Sequence, residues 1–152
     1  MYPIRLIVVG RPKQESILSL EKHYKKLIKP LIRLEILELT EGKGQGERQL
    51  LDEASNLRNA LSAYKWKVIL DAGGRTTDSE GFAKWLGSRL DLGEHMAFAI
   101  GSSNGIHSIL KAEIKERMSL SQMTFPHDLC RIIFLEQLYR AMSILRGGSY
   151  HK

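Results

Sequence analysis

The chain has 152 residues, 43% of them hydrophobic and 26% charged, and a net charge of +6. A chain of this length buries about 70% of the surface its unfolded form exposes, so a single domain over residues 1–152 needs no disulfide or metal to fold. Several classes are excluded. The apolar runs are too short to span a bilayer, Met1-Tyr2-Pro3-Ile4-Arg5 lacks the basic-then-apolar pattern of a leader, and the lone Cys130 forbids an internal disulfide and suits a reducing cytoplasm.

Charge is unevenly placed. Residues 1–33 carry eight Lys or Arg against two acids, residues 34–110 eight against eleven, and residues 111–152 seven against four. Basic ends around an acidic middle suit a polyanion touching both ends; the plainer alternative is a solvated basic helix at Lys22–Lys29.

In chain order, Ile4–Val9 reads as a buried strand closed by Gly10 and Pro12. Ile17, Leu20, Tyr24, Leu27 and Ile28 recur at helical spacing, and Pro30 follows them. Leu34–Leu39 alternates with charges as a half-exposed strand does, and the glycines of Thr40–Gly46 predict a mobile loop. Leu50, Ala54, Leu57 and Leu61 form the next helical stripe. Val68–Leu70 is a short strand ending at Asp71-Ala72-Gly73-Gly74. A helix through Phe82, Trp85, Leu86 and Leu90 has Asp78 or Ser79 as its cap. Met96–Ile100 is an apolar strand running into Gly101-Ser102-Ser103-Asn104-Gly105, and Glu116–Leu120 a last strand. After Pro126, Leu129, Ile132, Ile133, Leu135, Leu138, Met142 and Leu145 mark a long helix with a wide apolar face, followed by a polar tail. Strands alternating with helices predict an α/β domain with a mainly parallel sheet flanked by helices. Ligands then sit beyond the carboxyl ends of the strands, which selects the loops after Leu70, Ile100 and Leu120.

Those loops carry none of the common signatures. Gly101–Gly105 is followed by no Gly-Lys-Ser/Thr and opens no Gly-x-Gly-x-x-Gly helix, so it is neither a phosphate loop nor a dinucleotide fingerprint. His127 and Cys130 share a helix face, but two ligands do not make a zinc site, and no metal is expected. No Ser lies in a Gly-x-Ser-x-Gly elbow. The terminal Gly148-Ser149-Tyr150-His151-Lys152 groups an aromatic, an imidazole and a cation, a set that suits stacking on an RNA base and pairing with phosphate.

Taken together, Val8-Val9-Gly10, Ile100–His107, Leu120–His127, Glu136-Gln137-Leu138-Tyr139-Arg140-Ala141, and Arg146-Gly147 with terminal Tyr150-His151-Lys152 resemble, nearly end to end, one family. It is the small SPOUT-class methyltransferases acting on a pseudouridine of large-subunit 23S ribosomal RNA, the ribosomal RNA large subunit methyltransferase H type. The resemblance implies a SPOUT fold with a C-terminal trefoil knot. It also implies S-adenosylmethionine bent against Leu70, Gly101 and the segment Leu120, Ser121, Gln122, Met123, Thr124 and Phe125, with Leu70, Leu120 and Met123 against the adenine faces. The implied reaction is methylation of N3, a weakly acidic imide nitrogen. His151 or His127 is the general base, and Tyr150 or Arg140 stabilises the anion. The implied partners are 23S rRNA in the assembled ribosome and a second copy of the chain, the composite site forming across a homodimer. No membrane partner is expected. A non-catalytic RNA-binding ribosome-assembly module keeping the SPOUT fold is the alternative, and a related enzyme of transfer RNA is disfavoured because a second RNA-binding domain is missing. One departure from the family stands out: Gly101-Ser102 replaces a pair of glycines, and a left-handed backbone at Ser102 would cost about 1 kcal/mol or more.

Overall fold

Apolar runs alternate with apolar stripes along this chain, and a computed structural model describing residues 3–152 turns each into the element its period demands. Met1 and Tyr2, part of the stretch read as lacking a leader, lie outside the described residues. The elements are β1 (Pro3–Val9), α1 (Glu15–Ile28), β2 (Arg33–Leu39), α2 (Gly46–Leu61), β3 (Trp66–Thr76), α3 (Ser79–Leu90), β4 (Met96–Ile100), α4 (Ser108–Glu113), β5 (Glu116–Ser119) and α5 (His127–Leu145). The five strands form one parallel sheet in the order β2-β1-β4-β3-β5.

Side chains of a strand point alternately to the two sheet faces, and both faces are covered. On one, Leu6, Val8, Val68 and Phe98 pack with Ile17 and Ile28 of α1, Phe82 and Leu86 of α3, and Phe134 and Leu138 of α5. On the other, Ile7, Val9, Ile69 and Ala99 meet Ala54, Leu57 and Leu61 of α2 and Leu110 of α4. Covering both faces explains why every residue of β4 is buried, while edge strand β2 stays half-exposed. Arg131 is buried in α5 between Glu21 of α1 at 2.6 Å and Glu38 of β2 at 2.7 Å. The pair of carboxylates satisfies a charge that would otherwise be costly at that depth.

Three segments differ from the sequence reading. β3 does not stop at Leu70 but resumes pairing with β5, with Leu70 and Arg75 both opposite Met118. Residues 71–74 bulge out between them. Gly74 allows this close passage, since a Cβ there would lie 2.7 Å from the backbone of Arg117 and Met118. Helix α4 is an additional element, too short to announce itself by periodicity; His107 caps it, its Nδ1 accepting from the Ile109 N–H at 3.0 Å. The 40–46 loop is tied down: the Lys43 N–H donates to Asp52 and the Gly42 N–H to Glu53, both at 2.9 Å. At the start of α3, Asp78 accepts from the Gly81 N–H at 2.7 Å, the capping role expected of it.

Candidate active site

β4, β3 and β5 are neighbours in the sheet, so the loops leaving their carboxyl ends must meet. They enclose a cavity of about 540 Å³, within the usual range of small-molecule sites. Its walls include Leu70 and Asp71 after β3, Ile100, Gly101, Ser102 and Ile106 after β4, and Leu120, Ser121, Met123, Thr124 and Phe125 after β5, with His127 and Cys130 of α5 closing one side. Gly101 is required by contact: a Cβ there would lie 2.5 Å from the Gly105 carbonyl oxygen and 2.6 Å from Ile106. Gly105 turns the loop at a φ of 86°. Apolar walls of Leu70, Ile106 and Leu120 beside exposed loop backbone fit a flat heteroaromatic group whose edge needs donors and acceptors, as the adenosyl part of S-adenosylmethionine does. Met123 is 74% exposed and free to fold over whatever enters. Asp71 is held by Lys111 at 3.2 Å and Arg117 at 3.5 Å. Burial pushes the Cys130 thiol pKa up, which disfavours a nucleophilic thiolate. Among the described residues no group of three or more His, Cys, Asp or Glu side chains is arranged for a metal ion, and no helix is long and apolar enough to cross a membrane.

The tail builds a second cluster, on the C-terminal half of α5. Arg140 donates from Nε to Glu136 at 2.6 Å and lies 3.0 Å from His151 Nδ1. Its guanidinium carbon is 4.8 Å from the centre of the Tyr150 ring, which stands edge-on to Tyr139 at 4.7 Å. A guanidinium only donates, so His151 Nδ1 is the acceptor and the ring proton sits on Nε2, 3.6 Å from Glu80. The Tyr150 phenol is held above its ordinary pKa, first by burial and then by the Glu136 charge. It therefore stays a neutral donor. Lys22, Lys25 and Lys26 are exposed on α1, and His23, Lys26, Tyr139 and Arg146 line a second cavity of about 540 Å³ beside this cluster.

Of the residues singled out from the sequence, Leu70, Gly101, Leu120, Ser121, Met123, Thr124, Phe125 and His127 come together around the first cavity. Gln122 is exposed and outside its lining. Tyr150, His151 and Arg140 come together with one another but not with that cavity: Arg140 lies ten positions along α5 from Cys130, the nearest residue of that helix in the lining, about 15 Å at 1.5 Å per residue. Ser102 does not meet the condition for the left-handed backbone cost. Among the described residues no non-glycine has a positive φ, so its backbone carries no left-handed strain. Sequence reasoning passed over Asp71, Ile106 and Glu53. Asp71 follows a strand end directly. Glu53 leaves a clearer trace, an acid three residues from Leu50 and four from Leu57, on the apolar stripe of α2.

The model of a family described as predicted SPOUT methyltransferase matches residues 2–151. A ribosomal RNA large subunit methyltransferase H from Gloeobacter violaceus is 36% identical over 149 residues, covering 97% of each chain. The protein of that name from Gluconacetobacter diazotrophicus is 37% identical over 149 residues, covering 98% of this chain and 97% of its own. Among solved structures, a probable methylase family protein from Haemophilus influenzae Rd KW20 superposes with a TM-score of 0.61 at 12% identity, covering 98% of this chain and 70% of the other. TrmJ from Z. mobilis ZM4 does so at 0.53 and 10% identity, covering 93% and 70%. These two likenesses carry the fold alone. With a family model spanning nearly the whole chain and full-length relatives above 30% identity, the chain belongs to the SPOUT methyltransferases, in the ribosomal RNA large subunit methyltransferase H family.

Proposed function

We propose that this chain methylates N3 of a pseudouridine in 23S ribosomal RNA of assembled ribosomes, using S-adenosylmethionine, as a homodimer in the cytoplasm. One observation carries the reading: three adjacent strand-end loops converge on a cavity with apolar walls and accessible backbone. The family likeness extends this to a trefoil knot wound through those loops. When bound, S-adenosylmethionine supplies a methyl on a positively charged sulfonium. Leu70, Leu120 and Met123 would hold the adenine faces, and Gly101, Ser121, Thr124 and Phe125 would offer backbone groups to its edge and to the ribose.

The imide nitrogen must lose a proton before it can be methylated. Arg140, neutral Tyr150 and the Nε2–H of His151 are all donors, so the tail cluster stabilises negative charge on the base rather than removing the proton. His127, inside the cavity with Nε2 3.2 Å from Asp128, keeps Nδ1 for proton transfer. Because the donors lie about 15 Å along α5 from the nearest cavity residue of that helix in one chain, a second copy completes the site. Leu129 and Leu145, each 42% exposed on α5, supply part of the apolar surface for that pairing. The exposed lysines of α1 contact phosphates without reading sequence.

The test is mass spectrometry of 23S rRNA from cells with and without the gene, paired with calorimetry at millimolar S-adenosylmethionine. Loss of one methylated pseudouridine, together with heat of binding, supports the proposal. Unchanged RNA with neither heat nor thermal stabilisation overturns it in favour of a non-catalytic ribosome-assembly module.

A further inference from the structure

The buried stripe of α2 carries one charged residue. Glu53 is 2% exposed, and its partners are uncharged donors. The Ser102 hydroxyl donates to Oε1 at 2.7 Å, while the Gly42 N–H and Gln49 Nε2 donate to Oε2 at 2.9 and 3.0 Å. A carboxylate at this depth is costly unless its acceptor sites are filled, and an apolar residue would serve the helix better. Its placement therefore calls for a role outside the helix.

That role lies at the other end of the shortest hydrogen bond. Ser102, 4% exposed, is in the wall of the strand-end cavity, next to Gly101, where no side chain fits. Its carbonyl accepts from the Gly105 N–H at 2.9 Å, and its hydroxyl oxygen lies 3.4 Å from the Asn104 N–H. Fixing Ser102 thus fixes the turn. A second tie runs alongside. His107 Nε2 lies 3.1 Å from Glu47 Oε1, and because Nδ1 of that ring accepts from Ile109, Nε2 carries the proton and donates. Both ends of the 102–107 segment are therefore anchored to the first two turns of α2.

We propose that Glu53 is a positioning residue, which through Ser102 holds the Gly101–Gly105 turn in the shape that receives the methyl donor. The inference rests on the S-adenosylmethionine reading given above. Glu53 touches neither donor nor RNA; it acts through the loop. Ser102 becomes the hook by which α2 grips that loop.

The experiment uses the full chain as wild type, Ser102→Ala, Glu53→Gln and the double variant. Amide hydrogen exchange over residues 101–107 is followed without cofactor, S-adenosylmethionine affinity by calorimetry, and kcat and KM by RNA methylation. In Ser102→Ala, exchange at Asn104 and Gly105 should quicken and affinity weaken, each about tenfold, as for loss of a hydrogen bond to a charged group. KM for S-adenosylmethionine should rise by more than kcat falls. The double variant should bind no more weakly than Glu53→Gln alone, because both changes remove the same charge-assisted hydrogen bond. Wild-type exchange and affinity in Ser102→Ala, or additive losses in the double variant, would overturn the proposal. Should Glu53→Gln fail to fold, Ser102→Ala, which removes one oxygen, still decides the matter. A wild-type chain that binds no S-adenosylmethionine would instead sink the cofactor reading, and this proposal with it.

Discussion

The cavity at the N-terminal end of α5 and the cluster at its C-terminal half are built from different materials. The cavity is made of turns, apolar side chains and a glycine that leaves no room for a methyl group. The cluster is made of a guanidinium, an imidazole and a phenol held by Glu136 and Tyr139. Backbone geometry serves a ligand of fixed shape, because amides and carbonyls on a close-packed turn cannot reorganise. Charged and aromatic side chains serve a partner whose charge changes during reaction, because donors can be aimed where it develops. On the proposed function, the two regions divide the work between binding the methyl donor and handling the base.

The sharpest way to break that division is to remove residues 150–152. Methylation measured in a single turnover should fall about 10²–10³-fold, the loss expected when donors to a developing anion are deleted. Calorimetry should find S-adenosylmethionine binding unchanged, since no residue of the tail lines the cavity. Full activity without the tail would move the chemistry to His127 and Arg140.

The converse change is Gly101→Ala. The added methyl would sit 2.5 Å from the Gly105 oxygen, so the turn must open. Overpacking of this kind typically costs about 1–3 kcal/mol, or roughly 5- to 150-fold in S-adenosylmethionine affinity if the strain falls on the bound state. The tail should keep its fold. Unchanged affinity would mean that the cavity is shaped by side chains after all.

A smaller effect separates the clusters by pH. The Tyr150 phenol is raised in the folded chain, so its contribution to stability is full below the unfolded phenol pKa of about 10 and is lost as pH rises through the folded value. Tyr150→Phe should therefore flatten the fall of Tm above about pH 10 relative to wild type. An identical alkaline profile in both chains would show that the phenol is no more buried than in the unfolded state.

By itself, the sequence determined the alternation of strands and helices and the location of the ligand loops, because both follow from periods of two and 3.6 residues and from where the apolar runs stop. Met96–Ile100 could only be a strand covered on both faces, and the residues following it could only lie at a sheet end. The candidate cofactor and tail residues came from family resemblance, which records local patterns such as Leu120–His127. Tertiary structure alone decided the rest. The return of β3 to pairing at Arg75 depends on Met118 of a neighbouring strand, 43 residues later, and α4 exists because His107 caps a segment too short for any period. Above all, the bond between Ser102 and Glu53 spans 49 residues. A sequence can place an acid on an apolar stripe, but which hydroxyl fills its acceptor site depends on how α2 packs beside the loop after β4. That is a property of the packed layers, not of either segment.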